Sequence, residues 1–221
     1  MMSRNISLVA LLLVLVLVAS SFAAPAAQAH RPYFEKDDIQ ASDPWLVDDP
    51  TISTALYATL DRLEDVDYFA FEGTEGDAIL LALTIPQIEG QADFAPTMAL
   101  LGPGLASADL PARVGLPAGA GAFLLEPPAG EATTFYEPFS RTSYWERQEQ
   151  RVSLPASGRY VVAVWHSEGQ VGRYTFVIGD KERLGGDLAF PFRMRTYWTP
   201  VEAPVTPTPV TTSPPATSCG Q

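Results

Sequence analysis

Two histidines, a crowd of carboxylates and a few aromatic pairs are the residues in this chain whose chemistry could serve a function. If a signal peptidase cuts after Ala29, His30 becomes the first residue and presents a free amine beside its imidazole. His166 could then add a third nitrogen, and a T-shaped set of nitrogens suits copper, which favours imidazole and tetragonal geometry. A second metal reading rests on Asp61, Glu64, Asp65 and Asp67, which crowd the approach to an apolar run, with Asp77 and Asp93 close enough in sequence to join from neighbouring loops. Hard carboxylate oxygens in loops are what calcium requires. We take Asp65, Asp67 and Asp77 as the calcium candidates, and His30 with His166 as the copper alternative. Another acidic run, Asp37, Asp38, Asp43, Asp48 and Asp49, is as dense but shows no ligand order. The pairs Tyr144-Trp145 and Tyr197-Trp198 lie in polar surroundings, where flat rings can stack on sugars or clasp peptides; Trp165 alternates with Val164 and belongs to a core.

Several classes of chemistry are set aside. A hydrolase triad needs an oriented His beside a Ser, and His166 is the only internal candidate; no Gly-x-Ser-x-Gly elbow accompanies it. Phosphate-cradling glycine loops and zinc-type cysteine spacings are absent. The single Cys219 excludes an internal disulfide, so the core alone must hold the fold. The formal net charge is −12 and the only lysines are Lys36 and Lys181. That surface is a poor match for nucleic acid or anionic membrane, both of which demand concentrated positive charge.

The ends of the chain set its location. Arg4, the apolar run Leu8 to Val18 and the small residues through Ala29 have the layout of a signal peptide. At roughly 11 residues the run is too short to cross a hydrocarbon core of about 30 Å. Ala27-Gln28-Ala29 offers small residues at the positions a peptidase reads, and Phe22-Ala23-Ala24 is the other candidate. We assign residues 1–29 to the signal peptide, 30–199 to one domain and 200–221 to a Pro- and Thr-rich, disordered tail. The mature chain is expected to be secreted or extracytoplasmic, with no membrane segment left after cleavage.

Between these ends the apolar period is 2, the mark of strands with one face on a core. Phe69 and Phe71 alternate with Tyr68 and Ala70. Ile79, Leu81, Leu83 and Ile85 share a face while Leu80 and Ala82 keep the other apolar, which predicts a central strand ending at Pro86. Thr97 to Leu101 and Phe123 to Leu125 are short strands around a long Gly-, Ala- and Pro-rich loop. Tyr160, Val162 and Val164, then Tyr174, Phe176 and Ile178 beyond Gly169 to Gly172, predict a hairpin. Thr51 to Leu60 begins with β-branched residues and is assigned to a strand. With no long amphipathic helix, the fold expected is all-β: a jelly-roll-like antiparallel β-sandwich with long loops.

The run Asp65-Val66-Asp67-Tyr68-Phe69-Ala70-Phe71, the turn Gly76-Asp77, Pro96 to Leu100, and the strands from Gly158 to Val164 and Gly172 to Phe176 together resemble the bacterial pre-peptidase C-terminal domain. The resemblance covers residues 50 to 180, and the stretch holding Glu137-Pro138-Phe139 and Thr142 to Trp145 departs from it. The whole chain looks similar to exported bacterial proteins built on the same sandwich. That family implies a secreted β-sandwich with a non-catalytic accessory or binding role, in some members with bound calcium. The expectation is therefore a secreted, non-enzymatic binding or structural module at the cell exterior, calcium-stabilised, with extracellular carbohydrate or protein as its partner. An exported copper protein using His30 and His166 is the alternative.

Overall fold

A computed structural model describes residues 30–201; residues 1–29, expected to be a signal peptide, and the residues beyond Val201, Cys219 among them, lie outside the described residues. The strands are β1 (Arg31–Phe34), β2 (Trp45–Leu46), β3 (Thr54–Leu60), β4 (Val66–Gly73), β5 (Ala78–Pro86), β6 (Thr97–Gly102), β7 (Gly121–Leu125), β8 (Thr134–Glu137), β9 (Thr142–Ser153), β10 (Gly158–Trp165) and β11 (Gly172–Ile178), followed by one helix, α1 (Phe190–Tyr197). They form a six-stranded sheet in the order β1-β3-β11-β5-β9-β8 and a five-stranded sheet in the order β2-β4-β10-β6-β7.

The main core lies between the sheets and is built by alternation. Ile79, Leu81, Leu83 and Ile85 of β5 meet Phe69 and Phe71 of β4 and Tyr160, Val162 and Val164 of β10 there. Each outer face carries a smaller cluster. Val66, Tyr68, Ala99, Leu101, Ala163 and Trp165 cover the back of the five-stranded sheet together with Val114. Phe34, Ala55 and Tyr57 on the back of the six-stranded sheet pack against Phe190 and Met194 of α1. Trp165 is buried as expected, but in an outer layer under the long loop rather than between the sheets.

Three features differ from the sequence reading. β10 and β11 are not a hairpin: β10 pairs with β4 and β6, and β11 with β3 and β5. The turn after Trp165 carries the chain across the core, from one sheet to the other, as do the turns after β3, β4 and β9. A Gly-bearing turn between alternating strands has the same local signature whether it stays in a sheet or bridges two. The edge strands β1 and β2 pair in parallel, with β3 and β4 respectively, so both sheets of the sandwich are mixed rather than purely antiparallel. The third difference is α1, which has Pro191 in its first turn, where the missing N–H costs nothing. It is short and supplies only Phe190 and Met194 as fully buried residues, too few for a helical period to stand out.

Gly102 shows how tightly the core closes. A Cβ there would lie 2.2 Å from Cδ1 of Tyr160, whose ring is fully buried. Gly102→Ala is therefore expected to destabilise by about 1–3 kcal/mol through overpacking, read as a lower midpoint in denaturant unfolding with unchanged slope.

Candidate functional site

One end of the sandwich closes around charge. Asp67 stands in phase with Phe69 and Phe71 on β4, so the pleat that aims those rings into the core also aims its carboxylate there, and the residue is 0% exposed. Facing it from β11, Tyr174 is equally buried and donates its hydroxyl to Asp67 Oδ2. The other oxygen, Oδ1, is buried without a hydrogen-bond partner.

Two more carboxylates converge on Asp67. β1 makes its last ladder bond where Glu35 N–H donates to the Tyr57 carbonyl (2.9 Å). Beyond that point the Glu35 side chain replaces the missing strand, with Oε2 accepting the Thr59 N–H of β3 (2.9 Å). Asp38 follows in the next turn. A carboxylate oxygen from each of Glu35, Asp38 and Asp67 lies within 4.8 Å of the others. Oxygens bound to one calcium at 2.3–2.6 Å can be no more than about 5 Å apart, and these three meet that limit. A pocket of about 300 Å³ lined by Glu35, Lys36, Asp38, Thr59, Asp61, Arg173 and Tyr197 opens beside Glu35 and Asp38.

Positive charge reaches only the rim. Arg62 pairs with Asp38 (2.6 Å), Asp61 (3.0 Å) and Asp65 (3.2 Å). Arg173 is committed to Thr199 and Thr59 and lies over the Tyr197 ring. Among the described residues neither Glu35 nor Asp67 makes an ion pair. Burial, and then the Glu35 charge, push Asp67 well above the ordinary carboxylate range. Burial also lifts Glu35 to about 7, with Asp65, Asp38 and Asp61 adding to the rise against the Thr59 hydrogen bond. Asp65 is raised to about 6 by burial, against the Asp61 N–H and Arg62. Two full negative charges about 5 Å apart would repel by about 3 kcal/mol at an effective dielectric of 20; the raised pKa values mean that the cluster escapes this by holding protons, which a cation would displace.

The calcium trio expected from sequence is divided by this geometry. Asp65 and Asp67 lie at the site, but Asp77 sits in the turn beyond Gly73. Six residues of strand separate Asp67 from Gly73, roughly 20 Å at about 3.3 Å per residue. There Asp77 accepts the Thr74 N–H of its own turn (3.1 Å). The residues missed are Glu35 and Asp38. Asp38 was visible only as part of an unordered acidic run, and no local pattern shows that a parallel β1 would carry Glu35 to this place.

The two histidines are not brought together. His30 precedes β1 and bonds Ser53 at the start of β3, whereas His166 lies in the turn facing the other end of β3, again roughly 20 Å along the strand. His166 is spent locally: its Nδ1 accepts the N–H groups of Glu168 and Gln170 (both 3.2 Å), and its ring stacks on Phe94. Burial lowers its pKa, which keeps Nδ1 free to accept. His166→Ala is expected to cost about 1–3 kcal/mol by stripping an acceptor from two turn amides, measured by denaturant unfolding at pH 8. The aromatic pairs divide as well. Tyr144 is buried, Trp145 packs against the main core and Tyr197 packs on Phe34 and Tyr57. Tyr197 also lines the pocket at the acidic cluster, and Trp198 borders a second, separate groove.

Fold and site together define a small two-sheet β-sandwich with a polyanionic pocket at one end. No family model matches the chain, and no curated protein is similar to it. Among solved structures it is similar to the pre-peptidase C-terminal domain of a Bacillus anthracis collagenase (10% identity, 62% of this chain and 94% of that one, TM-score 0.33). It is also similar to PliG of Salmonella Typhimurium, a periplasmic inhibitor of g-type lysozyme (15% identity, 69% and 100%, TM-score 0.32). A third is the secreted copper-binding protein MopE of Methylococcus capsulatus (14% identity, 52% and 70%, TM-score 0.25). All are small β-rich domains, and likeness at this level does not extend to function. No helix among the described residues is long and apolar enough to cross a membrane.

Proposed function

We propose that this is an exported, non-enzymatic binding module whose sandwich is locked at one end by a calcium ion held by Glu35, Asp38 and Asp67. The carrying observation is the orphaned Asp67 Oδ1: a buried polar atom without a partner costs about 1–3 kcal/mol, and more when it bears charge. A dication beside it would supply the missing partner and let Asp67 and Glu35 ionise without repelling each other. All the donors are hard oxygens, and Glu35 and Asp38 border an open pocket. The hydroxyl that meets a carboxylate at the site, Tyr174 on Asp67, is fully buried and out of a substrate's reach, which supports a role in binding rather than in chemistry. Export rests on the leader-like first 29 residues. Elemental analysis of the mature protein, purified without chelator, tests the reading: near-stoichiometric calcium in the wild type and none in Asp67→Asn is expected. A metal-free wild type, or calcium retained by the variant, overturns it.

A further inference from the structure

We infer that the groove between the β8–β9 turn and α1 is a binding site for an acidic saccharide, a chain of sugars carrying carboxylates. This rests on the binding-module reading above but not on the calcium site. The groove is about 530 Å³, within the range of ligand pockets. Two of its lining residues are aromatic rings held in place. Trp198 is fixed by its Nε1 donating to Thr142 Oγ1 (3.0 Å) and by edge contacts with Tyr144 and Tyr197. Phe139 is 46% exposed, yet its other face is stacked on Phe190 with centroids 4.8 Å apart and planes 6° from parallel. Rings already ordered lose little entropy when a sugar stacks on them.

Charge selects among saccharides. In a chain of net charge −12, the groove is lined by Arg141 and Arg195, neither of which makes an ion pair among the described residues. The neighbouring Glu137 makes no ion pair with either among the described residues; its carboxylate accepts the N–H groups of Phe139 and Ser140 in its own turn. A guanidinium fork matches a carboxylate through two parallel hydrogen bonds. An acidic peptide is the less suitable occupant: Pro138 and Pro191 line the groove and have no N–H to offer a peptide backbone.

The test is titration of the full chain with oligogalacturonate fragments, their methyl esters and poly-glutamate, followed by tryptophan emission and calorimetry. Saturable binding of the free acid is expected, weakening with salt and roughly tenfold weaker for the uncharged ester, as for loss of a charge-assisted pair. Arg141→Asn with Arg195→Gln should remove that preference; Asn suits the left-handed backbone at position 141 (φ 55°), so the turn is kept. An unchanged near-ultraviolet circular dichroism spectrum and an unchanged melting temperature establish that the double variant is folded. Equal binding of acid and ester, undiminished binding by the double variant, tight binding of poly-glutamate alone, or no binding of any probe overturns the proposal. Calcium content stays as in the wild type in each of these cases, so failure here is distinguishable from failure of the calcium reading.

Discussion

Asp67→Asn is expected to reverse the effect of calcium on stability. In chelator the variant should be more stable than the wild type at pH 8 by about 1–3 kcal/mol. The amide oxygen still accepts from Tyr174, while a buried group that repels Glu35 when ionised is gone. In calcium the order should invert. A ligand at 100 times its dissociation constant stabilises by about 2.7 kcal/mol, roughly 5–10 °C in melting temperature for a domain of this size. The wild type should gain that increment and Asp67→Asn should show none. Differential scanning calorimetry in chelator and in millimolar calcium measures both. A variant less stable than the wild type in chelator would mean that the carboxylate serves the fold without an ion.

Acidification is the second large effect. A carboxyl group whose pKa is raised by folding binds more protons in the folded state than in the unfolded one between its two pKa values, so its contribution to stability is present below the unfolded value and lost as pH rises through the folded one. For Glu35 that window runs from about 4.5 to about 7, and Asp65 adds a narrower one up to about 6. His30 and His166 act oppositely: their lowered values favour the folded state at neutral pH and cost stability as pH falls below about 6.5. The carboxyl shifts are the larger. The metal-free protein should therefore be more stable at pH 5 than at pH 8, by about 2–3 kcal/mol from Glu35 after allowance for its partial exposure. Calcium should flatten the dependence, because the ion holds the same carboxylates ionised. Urea unfolding across this range in chelator and in calcium checks it; a metal-free protein that loses stability steadily on acidification contradicts it.

What the sequence disclosed and what it hid follow from the range of the interactions. Alternation is local, so β4, β5, β10 and β11 were legible, and so was the placing of Ile79, Leu81, Leu83 and Ile85 on one buried face. The same alternation held a further signal that only the structure brought out: Asp67 shares the phase of Phe69 and Phe71, so a carboxylate was committed to the core. Its companions were not legible. Glu35 reaches Asp67 through a parallel edge strand paired across more than 20 residues of sequence, and such pairings leave no local trace. Asp77 looked close to Asp67 in sequence, yet a straight strand puts them at opposite ends of the sandwich. His166 stood out as a rare residue type, whereas its bonds to Glu168 and Gln170 are those of an ordinary turn.

The most direct test of the central claim is calorimetric titration of calcium into chelator-stripped protein, with Asp67→Asn beside it. The account predicts a single saturable site in the wild type. At pH 6.5 the heat should vary with the ionisation enthalpy of the buffer, because Glu35 must release its proton to bind the ion; the variant should give only dilution heat. Absence of saturable heat in the wild type, or an unchanged isotherm in Asp67→Asn, would contradict it.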